Sequence, residues 1–125
     1  MLINFSIENW MSFRNKSTLS MIASGERQHG ERVPRLKKFN TRVLPAAAIY
    51  GGNASGKTNL FIALDFVQDF VVLGTPSAET LIRVDPFLLD ARSRQQPTRF
   101  KVELLADDDK IYDLSFAVTQ KAVLE

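Results

Sequence analysis

Residues 51–58 restrict the fold of this 125-residue chain more than any other part of the sequence. They read Gly-Gly-Asn-Ala-Ser-Gly-Lys-Thr and fit the pattern G-x-x-x-x-G-K-[ST]. The apolar run 46–50 before them predicts a buried central strand, and the residues from Lys57 to Leu73 have helical periodicity. A strand, a glycine-rich turn and a helix in this order predict an α/β fold.

The fixed positions of residues 51–58 suit the binding of phosphate groups. Glycines let the backbone turn so that N–H groups point at phosphate oxygens, and a helix N-terminus adds unpaired N–H groups. Lys57 is expected to contact the β- and γ-phosphates, and the Thr58 hydroxyl to ligate a bridging Mg²⁺ ion. The motif therefore predicts a mononucleotide site formed by Gly51, Gly52, Asn53, Ala54, Ser55, Gly56, Lys57 and Thr58.

The predicted helix is amphipathic, and Gly74 with Pro76 is a typical stop signal. Its apolar stripe consists of Leu60, Leu64, Val67 and Val71, and its polar side of Asp65, Gln68 and Asp69. A helix of this kind is expected to pack with one face on a sheet.

The remaining sequence predicts strands and one polar loop. Residues 1–23 alternate like a β-hairpin with a returning strand at 17–23, and 24–42, which lack periodicity, read as an exposed basic loop. Residues 46–73 are predicted to form the strand and helix around the glycine-rich turn. Residues 85–125 read as an antiparallel β subdomain with strands at 86–90, 99–106 and 111–118, a turn at 107–110, and the start of another strand at 123–125.

Composition excludes several classes of protein. The chain has no cysteine and a single histidine, which excludes disulfide frameworks, thiolate metal sites and two-histidine metal sites. It has neither an apolar run of membrane-spanning length nor a secretory signal, so we expect a cytoplasmic protein without a membrane partner. Residues 24–42 hold six basic and two acidic side chains, a balance of +4, whereas the whole chain carries only +2.

Other phosphate-loop classes fit the sequence less well. A guanine-specific switch protein requires an Asn-Lys-x-Asp element after the loop, and this sequence has none there. A small-molecule kinase requires a lid with phosphate-binding arginines, but Arg92, Arg94 and Arg99 read as surface charges. Asp90 has the outline of a magnesium aspartate but follows Pro86 closely and precedes Ala91, so it reads as a strand end. Residues 107–109 read as a hairpin tip instead of a metal cluster. The catalytic residues stay unassigned.

The chain resembles the N-terminal part of the ATP-binding-cassette-type head of SMC- and RecF-like AAA-family ATPases. It is similar in particular to bacterial anti-phage ATPases of the Septu and retron-associated types. The resemblance rests on residues 5–13, on Asn59 directly after Gly-Lys-Thr, and on Pro86-Phe-Leu-Leu followed by a hairpin. It implies a phosphate-loop NTPase core, a partial ATPase head, with an antiparallel β subdomain.

The resemblance also implies cofactors, partners and site residues. The implied cofactors are ATP and Mg²⁺. The implied assembly is a homodimer of heads around two ATP molecules, and it would control DNA engagement or a partner, either a nuclease or a reverse transcriptase–DNA complex. Residues 53–59, with Asn59 included, would hold phosphates and magnesium, and Ser12 and Phe13 would lie near the base. Met11 stands where some relatives have an arginine, which leaves a phosphate contact from this hairpin open. Trp10 and Phe13 fit either the core or stacking on adenine.

The acidic magnesium ligand and the signature segment of such heads are not found in the sequence. We therefore expect a piece of a longer ATPase, which is not expected to hydrolyse ATP alone. The alternatives are a nucleotide-binding regulatory module without hydrolysis, a DNA repair or recombination ATPase, and a nucleic-acid-binding accessory domain that uses residues 24–42.

Overall fold

A computed structural model of the chain describes residues 1–25, 30–74 and 81–124. Its one long helix, α1, is Lys57–Leu73. The strands are β1 (Leu2–Glu8), β2 (Ser17–Ser20), β3 (Arg35–Leu36), β4 (Thr41–Arg42), β5 (Thr98–Leu105), β6 (Ile111–Val118) and β7 (Val123–Leu124). Short 3₁₀ turns cover Gly30–Arg32, Lys37–Phe39 and Ser93–Gln95. The mixed α/β class predicted from the sequence is confirmed.

Five strands form one antiparallel sheet in the order β2-β1-β5-β6-β7. β1 pairs with β2 on one edge and with β5 on the other, so that Ile7 lies opposite Phe100. The N-terminal hairpin and the C-terminal strands, which the sequence suggested as separate units, therefore belong to a single sheet. A separate two-stranded ribbon is formed by β3 and β4.

The core lies between α1 and one face of this sheet. Phe5 and Ile7 of β1 are buried there, as the period-two pattern of the sequence predicts. The centre of the core is an aromatic cluster in which neighbouring ring centroids are 4.9–5.8 Å apart. Since its rings come from the β1–β2 turn, α1, β5 and β6, the cluster joins these elements. Its members are Trp10, Phe66, Phe70, Phe100 and Phe116.

Most boundaries predicted for regular structure are confirmed. Helix α1 has the predicted bounds, β5 and β6 lie where the strands were expected with the turn between them, and β7 begins at Val123. β2 ends at Ser20, earlier than expected, since Ile22 forms only an isolated bridge with Val43. Within residues 24–42, the described part contains the short elements β3 and β4 and two 3₁₀ turns, which the absence of periodicity in the sequence did not predict.

The prediction of a buried strand at 46–50 is wrong. These residues have no regular structure, and Tyr50 is 90% exposed. A buried central strand needs neighbouring strands to pair its backbone groups. No strand in the described part of the chain lies beside this segment.

The strand predicted at 86–90 is also not formed. Pro86 has no N–H group to donate to a ladder, and the Phe87 N–H donates to the Asn9 side-chain oxygen over 3.0 Å instead. Leu89 is 89% exposed. The segment is therefore an irregular connection held by the β1–β2 turn.

The stripe predicted on α1 is confirmed in part. Val67 is buried, Leu60 and Leu64 pack partly buried against the core, and the predicted polar residues are exposed. Val71, however, is 55% exposed, because the aromatic side chains Phe66 and Phe70 face the sheet and turn Val71 away from it. Phe61 and Ile62 lie exposed on the far side of the helix.

Candidate phosphate-binding site

The start of helix α1 has the backbone geometry that a glycine-rich turn requires. Gly56 is the N-cap residue with φ of 91°, a conformation that costs glycine little and other residues more. The Leu60 N–H donates to the Gly56 carbonyl over 3.1 Å, and this hydrogen bond closes the first turn of the helix. The N–H groups before it are the unpaired donors of a helix N-terminus, where the helix dipole also favours an anion.

A side chain at Gly56 would crowd the Ser12 hydroxyl, which would have to shift. A Cβ atom there would lie 2.9 Å from the Ser12 hydroxyl oxygen and 3.6 Å from the Phe13 ring. Ala54 also has a positive φ, 60°, which is costly for a residue with a Cβ atom. Strain of this kind is common where a backbone is shaped for a ligand.

Lys57 lies over the glycine-rich turn. Its ammonium group donates to the carbonyl oxygens of Gly51 and Gly52 over 2.7 and 2.6 Å, and to the Ser55 hydroxyl over 3.2 Å. These partners are neutral, and no ion pair with a described residue competes for this charge. The ammonium group is thus held at the turn, and no carboxylate of the described residues forms an ion pair with it.

Asn59 joins the loop to the β1–β2 turn. Its side-chain amide donates to the Ser12 hydroxyl over 2.9 Å, and its carbonyl accepts the Trp10 indole N–H over 3.0 Å. Trp10 is 1% exposed and belongs to the aromatic cluster. The first turn of α1 is therefore positioned by a residue of the core.

Asn9 is a structural residue that the sequence analysis missed. Its side-chain amide donates to the carbonyls of Ser93 and Gln96, and its side-chain oxygen accepts the Phe87 N–H. Its own carbonyl accepts the Thr98 hydroxyl over 2.7 Å, and its φ is 55°. The sequence signal for this role is an asparagine directly after a predicted strand. Asparagine is typical of such turn positions because it tolerates positive φ better than most residues.

The residues 54–59 line a cavity of about 230 Å³ at this site. Ser12 and Phe13 lie against Gly56, and their expected place near the nucleotide base stays a prediction. Trp10 belongs to the core and reaches the Asn59 carbonyl with its indole N–H. The loop residues are contiguous in sequence, and the structure places the β1–β2 turn beside them. The assignment of residues 51–59 as nucleotide ligands stays a prediction.

Asp90 has a structural role in this fold. It accepts hydrogen bonds from the Ser93 hydroxyl and the Arg92 N–H and forms an ion pair with Arg14 at 3.2 Å. The hydrogen bond from Ser93 is the main reason why the pKa of Asp90 lies below its usual value, with desolvation opposing it. The alternative of a magnesium aspartate is therefore disfavoured, and Arg92, Arg94 and Arg99 are exposed as expected.

Residues 107–109 lie in the β5–β6 turn, as predicted. Desolvation raises the pKa of Asp108, but hydrogen bonds from Lys110 and Tyr112 outweigh it and keep that pKa below the usual value. Among residues 1–25, 30–74 and 81–124 there is no group of three or more acidic or histidine side chains that could hold a metal ion. In the same residues, no helix combines the length and the apolar character needed to cross a membrane.

The fold and site define a mixed α/β protein with a glycine-rich loop at the N-terminus of its long helix. The family described as "AAA domain, putative AbiEii toxin, Type IV TA system" matches residues 46–125, well over half of the chain. The chain belongs to this AAA family. The comparison with curated proteins found no match, and neither did the comparison with solved structures.

Proposed function

We propose that this chain binds ATP with Mg²⁺ through residues 51–59, as the nucleotide-binding part of an ABC-type ATPase head. The observation that carries the proposal is the Lys57 ammonium group, which lies over the loop carbonyls of Gly51 and Gly52 at the N-terminus of α1. A phosphate oxygen is a stronger acceptor for this cation than a neutral carbonyl. Membership of an AAA family supports nucleotide binding.

The described residues fit the phosphate part of such a ligand. The N–H groups of the first turn of α1 would donate to the phosphates, and Lys57 would leave the loop carbonyls to neutralise the β- and γ-phosphates. The Thr58 side chain is exposed beside them, and its hydroxyl would be a ligand of Mg²⁺. Mg²⁺ supplies further neutralisation of phosphate charge when bound. Asn59 is held by Ser12 and keeps this turn in place.

The wider proposal concerns the whole protein to which such a head belongs. It dimerises around two ATP molecules, hydrolyses ATP with residues outside this chain, and controls DNA engagement or a partner nuclease in anti-phage defence. The resemblance to anti-phage ATPases and the family description, which names a putative toxin of a toxin–antitoxin system, support this assignment.

A nucleotide-binding module without hydrolysis is the second candidate. The observation that favours it is the lining of the loop cavity, because residues 54–59 contain no carboxylate to activate water. Steady phosphate release by the purified chain would contradict this candidate. Binding without release agrees with both candidates, and the same assay on the full-length parent then distinguishes them.

The first test is the affinity of the full chain for a fluorescent ATP analogue with and without Mg²⁺. We expect Lys57→Ala to weaken binding by roughly 10- to 100-fold, since it removes a charge-assisted hydrogen bond to phosphate. Lys121→Ala is the matched control, because it removes an exposed lysine in the turn between β6 and β7. Equal affinities of the Lys57→Ala variant and the wild type would refute the site assignment.

A further inference from the structure

Residues 30–42, here called the basic hairpin, form a compact unit with a concentrated positive charge. They contain five cations and one acid, Glu31, and they include the ribbon of β3 and β4. The chain as a whole carries only +2, so the remaining residues are net negative. The positive field of the molecule is therefore localised at this hairpin. Its cations are Arg32, Arg35, Lys37, Lys38 and Arg42.

The basic hairpin is held in shape by its own side chains and by the sheet. Arg35 donates to the Asn40 side-chain oxygen over 2.5 Å, and Arg42 to the Gly30 carbonyl over 2.6 Å. Val43, directly after it, is fully buried against Ile3 and Met21. These contacts present the remaining cations on an ordered surface, so that less conformational entropy is lost when a partner binds.

Two cations of the basic hairpin are exposed and without an ion pair in the described ranges. Arg32 and Lys37 are exposed, and no ion pair joins either of them to another residue of the described ranges. Lys38 differs from them, because it donates to the Asp109 carbonyl in the acidic β5–β6 turn over 3.3 Å. Arg32 and Lys37 are therefore the charges most available to an anionic partner.

The basic hairpin is distant from the candidate nucleotide site. Lys38 fixes it to the β5–β6 turn, and the Leu105 N–H at the near end of β5 donates to the Met1 carbonyl before β1. The glycine-rich loop instead contacts Ser12, which follows the other end of β1. The seven residues of β1 span roughly 20 Å at about 3.3 Å per residue. An anion bound at the hairpin would therefore not be the phosphate of the nucleotide.

We propose that the basic hairpin binds the phosphate backbone of DNA through Arg32 and Lys37. The hairpin concentrates five cations, of which Arg32 and Lys37 are the most available, and such a charged surface fits a polymer with regularly spaced charges better than one small anion. The large apolar side chains of the hairpin, Val33, Leu36 and Phe39, are only partly exposed, so it has nothing to insert into a lipid surface. Backbone contacts of this kind carry no sequence preference.

This inference rests on the part of the proposed function that concerns DNA engagement, and not on nucleotide binding. The test is the affinity of the full chain for a labelled, mixed-sequence DNA duplex between about 50 and 200 mM salt. The double variant Arg32→Gln with Lys37→Gln keeps the internal hydrogen bonds of Arg35 and Arg42. We expect roughly tenfold weaker binding at low salt and a slope of log affinity against log salt that is shallower by about 2.

Three variants make the result specific. Arg83→Gln with Lys121→Gln removes two exposed cations elsewhere and is expected to bind DNA like the wild type. Arg32→Lys with Lys37→Arg keeps both charges and is expected to restore binding. Lys57→Ala is expected to lose ATP affinity and keep DNA affinity, so a failure of the nucleotide site and a failure of the basic hairpin are distinguishable.

The proposal is overturned by any of three results. The first is that the wild type does not bind the duplex at low salt. The second is that the control pair loses as much affinity as the Arg32 and Lys37 pair, which would indicate only a general effect of net charge. The third is that vesicles containing an anionic phospholipid bind through Arg32 and Lys37 and the duplex does not.

Discussion

Large apolar side chains lie in opposite environments in two parts of this protein, the β1–β2 turn and the surface formed by residues 46–50 with the far side of α1. The β1–β2 turn contacts both helix and sheet, since Trp10 is 1% exposed, packs against the rings of Phe66 and Phe100 and donates its indole N–H to the Asn59 carbonyl. Residues 46–50 and the far side of α1 also carry large apolar side chains, yet Tyr50 is 90% and Phe61 57% exposed. The comparison shows that an apolar pattern becomes a core only where other elements pair its backbone and cover its side chains.

The largest effect is expected from removing a side chain on the buried side. Trp10→Ala should lower the free energy of unfolding by about 3–5 kcal/mol, because it leaves a large cavity in the aromatic cluster. Phe61→Ala, which truncates an exposed aromatic residue, should change it by less than about 0.5 kcal/mol. Urea unfolding of both variants measures the difference. Similar losses would mean that the far side of α1 is covered in solution.

An intermediate effect is expected at Asn9, which bonds the β1–β2 turn to the connection before β5. Asn9→Ala should cost about 2–4 kcal/mol, since it leaves the Phe87 N–H without its acceptor and places alanine at a φ of 55°. Asn40→Ala is the matched control, because Asn40 has a φ of 48° and its side chain accepts an exposed hydrogen bond from Arg35. If the two variants unfold at the same urea concentration, backbone strain alone explains the loss at Asn9.

The smallest effect is a pH dependence from Asp90. Its pKa is lowered in the folded state, so the stabilisation is present above the ordinary carboxyl pKa and is lost as the pH falls through the lower folded value. Stability should therefore decline from about pH 4 downward. The difference in melting temperature between wild type and Asp90→Asn should shrink over the same range. A constant difference down to the lowest pH would show that the Asp90 carboxylate does not contribute.

Elements of the fold that depend on near neighbours in the sequence could be predicted without the structure. The bounds of α1 follow from its periodicity and the glycine before and after it, and β5, β6 and their turn follow from local alternation and turn residues. The glycine-rich loop is a contiguous motif whose residues lie at the helix N-terminus, as such a motif requires.

Features that depend on residues far apart in the sequence could not be predicted from the sequence. The strand expected at 46–50 is not formed, and Val71 was placed on the buried stripe although Phe66 and Phe70 take that place. Asn9 gained its role from the carbonyls of Ser93 and Gln96, more than 80 positions along the chain. Single-sequence patterns carry no information on such pairings, because they do not specify which elements become neighbours.

The sequence by itself determined the helix, most of the strands and the glycine-rich loop, because local backbone preference and the spacing of apolar residues decide them. The tertiary structure alone decided that β1 joins β5 in one sheet, that Trp10 holds the first turn of α1, and that the basic hairpin lies at the far end of β1 from the loop. These arrangements depend on which distant surfaces bury each other and which buried polar groups find partners, and the chain settles both only when it folds.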